Sequence, residues 1–272
     1  MNSNREIVKV VILGIAIGVI IWRTAKVLPS ILRYSNTPSN NRHSMKKKLQ
    51  KINEKGEYLP FYGYTCIAMC KNNDQLKDLE RFIASSTLKK YFSPLPVSSY
   101  HMTLYNIWCH KDSLIPPIMQ WMNRTGVNDL NSSYWLPKEA LHTELESADN
   151  LAKNKLSEIS VKVIPKLEFR SPHLTLFVDI LGRQDKDKVD QFRNECTKIF
   201  GHDDDALMQI GYHITLAYQY EEVEEEDITQ YNKDIQKLES MIKNLGVIRL
   251  KKGGVYVFPS MEKFIPYTSQ FF

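Results

Sequence analysis

Ser99-Tyr100-His101-Met102-Thr103-Leu104-Tyr105 and Gly211-Tyr212-His213-Ile214-Thr215-Leu216-Ala217-Tyr218 share one pattern, Tyr-His-apolar-Thr-Leu. Side chains alternate across an extended strand. Each stretch therefore presents an imidazole and a hydroxyl on one face and turns Met102 and Leu104, or Ile214 and Leu216, to the other. Two such strands side by side place two histidines and two hydroxyls around one small volume.

The surroundings of the two stretches repeat as well. A β-like run at 62–70, a helical spacing of Leu76, Leu79, Phe82, Ile83 and Leu88 over 74–90, and the Pro94 to Pro96 break lead into the first motif strand, 97–108. β-like stretches at 160–169 and 173–181, a helical pattern at 184–200 and the second motif strand at 209–219 follow in the same order. A charged helix over 224–243, whose acidic start at Glu221 to Asp227 suits the helix dipole, and a final strand over 247–258 end the chain. Residues 110–158 read as a partly helical insertion. Strands punctuated by helices at these spacings favour α+β with antiparallel sheets over a doubly wound parallel sheet.

With two His-x-Thr triplets in matching flanks about 110 residues apart, the chain resembles the 2H phosphoesterase superfamily, which includes the LigT-like RNA 2′,3′-cyclic phosphodiesterases. The resemblance spans roughly residues 58 to 272. It implies two pseudo-symmetric antiparallel β-sheet lobes with outer helices around a central cleft, each lobe lining the cleft with its motif.

The residue types suit phosphodiester chemistry. One imidazole, neutral, takes a proton from the nucleophile, and the other, protonated, supplies one to the leaving oxygen. Thr103 and Thr215 are the phosphate-binding candidates, donating to non-bridging oxygens. The catalytic candidates are His101 and His213, with base and acid unassigned between them; the scheme calls for no metal and no cofactor. Tyr105, which shares the predicted face of His101 and Thr103, is a base-stacking candidate together with Tyr64 and Tyr256; Phe61 and Phe258 are further options.

The expected partner is a small nucleotide or short oligonucleotide phosphodiester of 2′,3′-cyclic, 2′-5′ or cyclic dinucleotide type, acted on by a monomer. A tethered nucleotide-binding or scaffolding module without turnover is the alternative. A metal-dependent hydrolase built on His173 and the acidic turn Gly201-His202-Asp203-Asp204-Asp205 is another. A third triplet, His173-Leu174-Thr175, reads as a chance match, because it lacks the preceding Tyr and lies only 40 residues from His213. Cys66 and Cys70, with Cys109 and Cys196 far away, make no zinc pattern.

Charge narrows the partners further. The net charge of +5 hides an imbalance: eleven of the 36 basic residues but only two of the 31 acidic ones fall within residues 1–55. The remainder is net acidic, which disfavours a grip on long nucleic acid.

Val10 to Trp22 is uninterrupted and apolar, and Ile7 and Val8 extend it past Lys9. This stretch is shorter than the roughly 20 residues that cross a hydrocarbon core, though Lys9 could snorkel. A cleaved signal peptide is the rival, but no small-x-small site follows Trp22. The reading is an N-terminal transmembrane helix as membrane anchor over 1–24, a basic, polar linker over 25–57, and the catalytic domain over 58–272. Eight basic residues from Arg23 to Lys51 follow the anchor and place that domain in the cytosol. Sequons at Asn123 and Asn131 would be glycosylated only in the opposite orientation.

Overall fold

Residues 51–128, 130, 138–170, 173–203 and 211–267 are described by a computed structural model. The first half opens with strand β1 (Gly63–Met69), followed by helix α1 (Asp74–Ser85). Asn73 caps that helix by accepting the Gln75 N–H at 2.8 Å, and Leu76, Leu79 and Ile83 form its buried stripe. The helical pattern expected to 90 ends as a 3₁₀ turn, Thr87–Lys90. A short strand β2 (Phe92–Pro94) and a 3₁₀ turn (Val97–Ser99) lead into the first motif strand, β3 (His101–Cys109).

The insertion supplies α2 (Pro116–Thr125) and α3 (His142–Lys155). Then come β4 (Ile159–Arg170), β5 (His173–Ile180), α4 (Arg183–Phe200), the second motif strand β6 (His213–Gln219) and α5 (Ile228–Lys243). The chain ends with β7 (Val247–Leu250), β8 (Gly254–Ser260) and β9 (Lys263–Pro266).

These strands form two sheets, ordered β3-β1-β8-β9 and β2-β6-β5-β4-β7, with every pairing antiparallel. Each half lends a strand to the other. β2 joins the second-half strand β6, while β8 returns to pair with β1. The single strand expected over 247–258 is therefore two strands in different sheets. Gly253 makes the crossing possible: a Cβ there would lie 2.6 Å from Leu104 Cδ1 and 2.7 Å from Leu156 Cδ1. The seam is tied by backbone bonds from Lys251 N–H to Met69 O at 2.7 Å and from Lys71 N–H to Arg249 O at 2.9 Å.

One element of the expected architecture is corrected. Among the described residues no helix is long and apolar enough to cross a membrane. The transmembrane anchor over 1–24 falls on residues outside those described, and the fold is α+β without it. The membrane as a partner and the single-pass placement with a cytosolic domain are withdrawn with the anchor. The end of the stretch read as linker is folded: Ile52 is 2% exposed and bridges to Tyr58.

Candidate functional site

β3 and β6 begin with the same burial rhythm. His101 and Thr103, like His213 and Thr215, are half-buried, whereas Met102, Leu104, Ile214 and Leu216 are fully buried. The alternation expected from the sequence is present over these four residues in both strands. Register places the motifs equivalently: His101 lies opposite Met69 and Thr103 opposite Ile67 on β1, and His213 lies opposite Phe177 and Thr215 opposite Thr175 on β5.

Immediately after each Thr, the ladder skips a residue. On β3 the pairing jumps from Thr103 to Tyr105, and on β6 from Thr215 to Ala217. A bulge turns the following side chain to the other face. Tyr105 consequently leaves the face of His101 and Thr103. It is 1% exposed, stacks on Phe200 of α4 at 5.8 Å, and donates its hydroxyl to the His202 carbonyl at 2.6 Å. The structure does not bring Tyr105 to the histidine pair.

Tyr64 is also buried, and its hydroxyl pKa is pushed up to about 12 by that burial, with Tyr267 adding to it. It lies two residues before Cys66 and so shares its face; Cys66 packs against Cys196 of α4, placing Tyr64 on the helix-covered face as well. Tyr256 lies opposite Thr65 and is half-buried. Burial first, and then the Asp149 carboxylate, raise its pKa.

The two imidazoles are hung in the same way. His101 Nδ1 lies 2.7 Å from the Ser99 carbonyl, and His213 Nδ1 lies 3.0 Å from the Gly211 carbonyl. A carbonyl only accepts, so in each ring Nδ1 carries the proton and donates it. This leaves Nε2 to exchange a proton with a substrate. Each bond spans two residues of its own strand entry. In the second motif it depends on Gly211 at φ 79°, where a side chain is disfavoured.

The Tyr preceding each His anchors the strand to the outer helices. Tyr100 is fully buried, and its pKa is raised by burial and by Glu80 of α1. Tyr212 donates its hydroxyl to Asp190 of α4 at 3.1 Å and lies under the Arg193 guanidinium, 4.6 Å from the ring centroid. The same Arg193 donates Nε–H to the Leu104 carbonyl at 2.7 Å. Leu104 is the residue skipped by the first bulge, so one buried arginine holds both motif strands.

Environment separates the two histidines. Phe264 of β9 packs on the His101 ring at 4.3 Å, while the aromatic neighbour of His213, Phe177, is at 6.3 Å. Burial pushes the pKa of His101 down to about 4, partly offset by the Ser99 carbonyl. The positive charges of His213 and Lys51 add to the depression. The two imidazoles are thus near enough to sense one another's charge.

Three residues of the cleft escaped the sequence reading. Lys51 counted only as a basic residue of the linker after the expected anchor, and Phe264 follows the last expected strand. Tyr218 was quoted as part of the second motif but given no role; the bulge returns it to the face of His213. The third triplet lies on β5 beside the second motif. His173 is opposite Tyr218 with rings 4.5 Å apart, and Thr175 is opposite Thr215. His202 of the acidic turn reaches the Ile107 carbonyl through Nε2 at 2.9 Å, a tie between the turn and β3.

Comparison with known proteins identifies relatives of the chain. The 2H-phosphodiest family, described as a domain of unknown function (DUF1868), matches residues 51–118, which contain the first motif. Uncharacterized protein 127L of Invertebrate iridescent virus 6 is 34% identical over 226 residues, covering 79% of this chain and 93% of that protein. The crystal structure of the conserved protein of unknown function ATU0111 from Agrobacterium tumefaciens str. C58 has the same fold. It superposes with a TM-score of 0.56 at 19% identity, over 88% of this chain and 96% of that chain. A structure described as a phosphoesterase aligns at a TM-score of 0.45 and 11% identity, over 77% of this chain and 97% of that one. The chain belongs to the 2H phosphoesterase superfamily.

Proposed function

We propose that the protein is a phosphodiesterase that cleaves a small nucleotide or short oligonucleotide phosphodiester with His101 and His213 as its acid/base pair. The observation that carries this reading is the matched suspension of two imidazoles, each fixed through Nδ1 to a backbone carbonyl, on equivalent strands close enough for their charges to interact. An imidazole kept neutral by burial beside a second imidazole is suited to dividing proton removal from proton delivery.

His101, held neutral by its surroundings, is the base. Its Nε2 takes a proton from the attacking water as the water oxygen bonds to phosphorus. His213, protonated, gives its Nε2 proton to the leaving oxygen as the P–O bond breaks. The transferred protons then exchange with solvent. Thr103 and Thr215 donate hydrogen bonds to the non-bridging oxygens, where negative charge is held through the displacement. The two-imidazole scheme requires no metal, and an arriving phosphate anion raises the basicity of His101 by favouring its protonated form.

Turnover of adenosine 2′,3′-cyclic phosphate, 2′-5′-linked diadenylate and cyclic dinucleotides by the full chain, in the presence of EDTA, tests this reading. Alanine variants of His101 and His213 are each expected to lose about 10² to 10⁴ in kcat. A panel with no turnover, or one whose activity survives both substitutions in folded protein, would sink it.

A further inference from the structure

Among the described residues, Lys51 lies within reach of two aromatic rings that come from opposite sides of the cleft. Its Nζ lies 5.0 Å from the Phe61 ring centroid and 5.5 Å from that of Tyr218. Phe61 belongs with the first sheet: its N–H donates to the Pro259 carbonyl at 2.9 Å and its ring stacks on Phe258 of β8 at 6.1 Å. Phe258 in turn packs on Phe264 at 5.7 Å, and Phe264 on His101. Tyr218 belongs to the second sheet, three residues beyond Thr215 on β6.

The side chain is half-buried, and among the described residues no carboxylate forms an ion pair with it. Aromatic faces attract an ammonium without neutralising it. The charge therefore remains available to an anion, and its field reaches the cleft: it adds to the burial that depresses the pKa of His101, and partly offsets the burial that raises that of Cys109.

We propose that Lys51, between Phe61 and Tyr218, binds a second phosphate of the substrate, so that the preferred substrate is a nucleotidic phosphodiester that also carries a phosphomonoester. This rests on the two-histidine reading of the same cleft. Position separates the two phosphates. The scissile group belongs at the four motif side chains, whereas Tyr218 lies two rungs further along the ladder, opposite His173 where Thr215 is opposite Thr175, about 7 Å of strand. That displacement is on the scale of one nucleoside. An ammonium is a compact point charge, suited to a dianionic terminal phosphate rather than to the planar, paired recognition an arginine would give.

The test uses the full chain with adenosine 2′,3′-cyclic phosphate and its 5′-phosphorylated form. The wild type should favour the 5′-phosphorylated compound by about tenfold or more in kcat/KM, with the difference in KM, as expected for uniform binding. Lys51→Met should reduce that preference to about twofold, and Lys51→Arg, which keeps the charge, should restore most of it. Calorimetry supplies a readout that needs no turnover. Adenosine 3′,5′-bisphosphate should bind the wild type about tenfold more tightly than adenosine 3′-monophosphate, and Lys51→Met should erase the difference.

Equal kcat/KM for the two substrates in the wild type would overturn the proposal. So would a Lys51→Met variant that weakens both equally, the signature of a staple between the lobes. If neither nucleotide is turned over while the Lys51-dependent bisphosphate binding persists, the anion site stands and the two-histidine reading falls. If turnover depends on both histidines but not on the 5′-phosphate, the reverse holds.

Discussion

Replacing His101 by Asn should make the protein less sensitive to mild acid, and the size of the effect follows from its surroundings. The imidazole, half-buried against Phe264, has its pKa lowered to about 4 from an ordinary value near 6.5. A depressed folded pKa means that between those two values the unfolded chain binds a proton that the folded chain refuses. Stability is thus held above about pH 6.5 and lost as pH falls toward 4. For one isolated group, lowering the pH from 7 to 5 would remove about 2 kcal/mol; partial exposure of the ring reduces the expectation to about 1 kcal/mol. Asn cannot titrate, yet its amide can still donate to the Ser99 carbonyl. Urea unfolding of wild type and His101→Asn at pH 7 and pH 5 measures the difference. The wild type should lose about 1 kcal/mol more than the variant, a midpoint difference of roughly 0.3 to 0.5 M. Because carboxylates elsewhere contribute equally to both proteins, they cancel. Equal losses within about 0.3 kcal/mol would refute the assignment of His101 as the desolvated, neutral member of the pair.

Further outcomes follow from the same geometry. The acid limb of kcat/KM should fall with protonation of His101 in the free enzyme, toward pH 4, and the alkaline limb should belong to the coupled pair; a pH profile records both. Thr103→Ala and Thr215→Ala should each cost about 10² to 10³ in kcat, the usual loss for one donor to a charged oxygen, with folding unchanged by circular dichroism. Gly211→Ala forces a side chain into positive φ at the carbonyl that orients His213, so stability should fall by about 1 to 2 kcal/mol. Its kcat should fall with little change in KM. Arg193→Met removes the bond to the Leu104 carbonyl and should destabilise by about 1.5 to 3 kcal/mol in urea titration.

The twin motifs and their flanks were legible because they obey local rules. The alternation of His101, Met102, Thr103 and Leu104 depends only on extended backbone, and the stripe of Leu76, Leu79 and Ile83 only on helical pitch. What stayed hidden was set by tertiary context. The period of two predicts that Tyr105 shares the face of Thr103, but the bulge at Leu104 inserts a residue into the ladder and sends the ring to Phe200. The run from 247 to 258 looks continuous because both pieces are β-formers. The crossing at Gly253 responds to Leu104 and Leu156, which are distant in sequence. Lys51 was read only as a charge flanking the expected anchor; its place between two rings from two sheets is set by tertiary context.

The duplicated motif accounts for a symmetric pair of imidazoles, but acid/base catalysis needs an asymmetric one. Two histidines with identical surroundings would share a proton and divide their roles poorly. The features that distinguish His101 come from parts of the chain with no counterpart in the repeat. Phe264 is supplied by β9, a strand added after the second motif, and Lys51 by the segment that precedes the first. Both bear on the same ring, one by excluding water and the other by its charge, and both act in the same direction, toward a neutral His101. On the proposed two-histidine reading, the internal repeat places and orients the pair, and Phe264 and Lys51, outside the repeat, would set which member takes a proton. Removing the Phe264 ring should, on this logic, raise the pKa of His101 toward its ordinary value while leaving the Nδ1 bond to Ser99 in place. The acid limb of the rate profile would then move toward neutrality in Phe264→Ala, and an unmoved limb would show that burial by β9 is not what separates the two histidines.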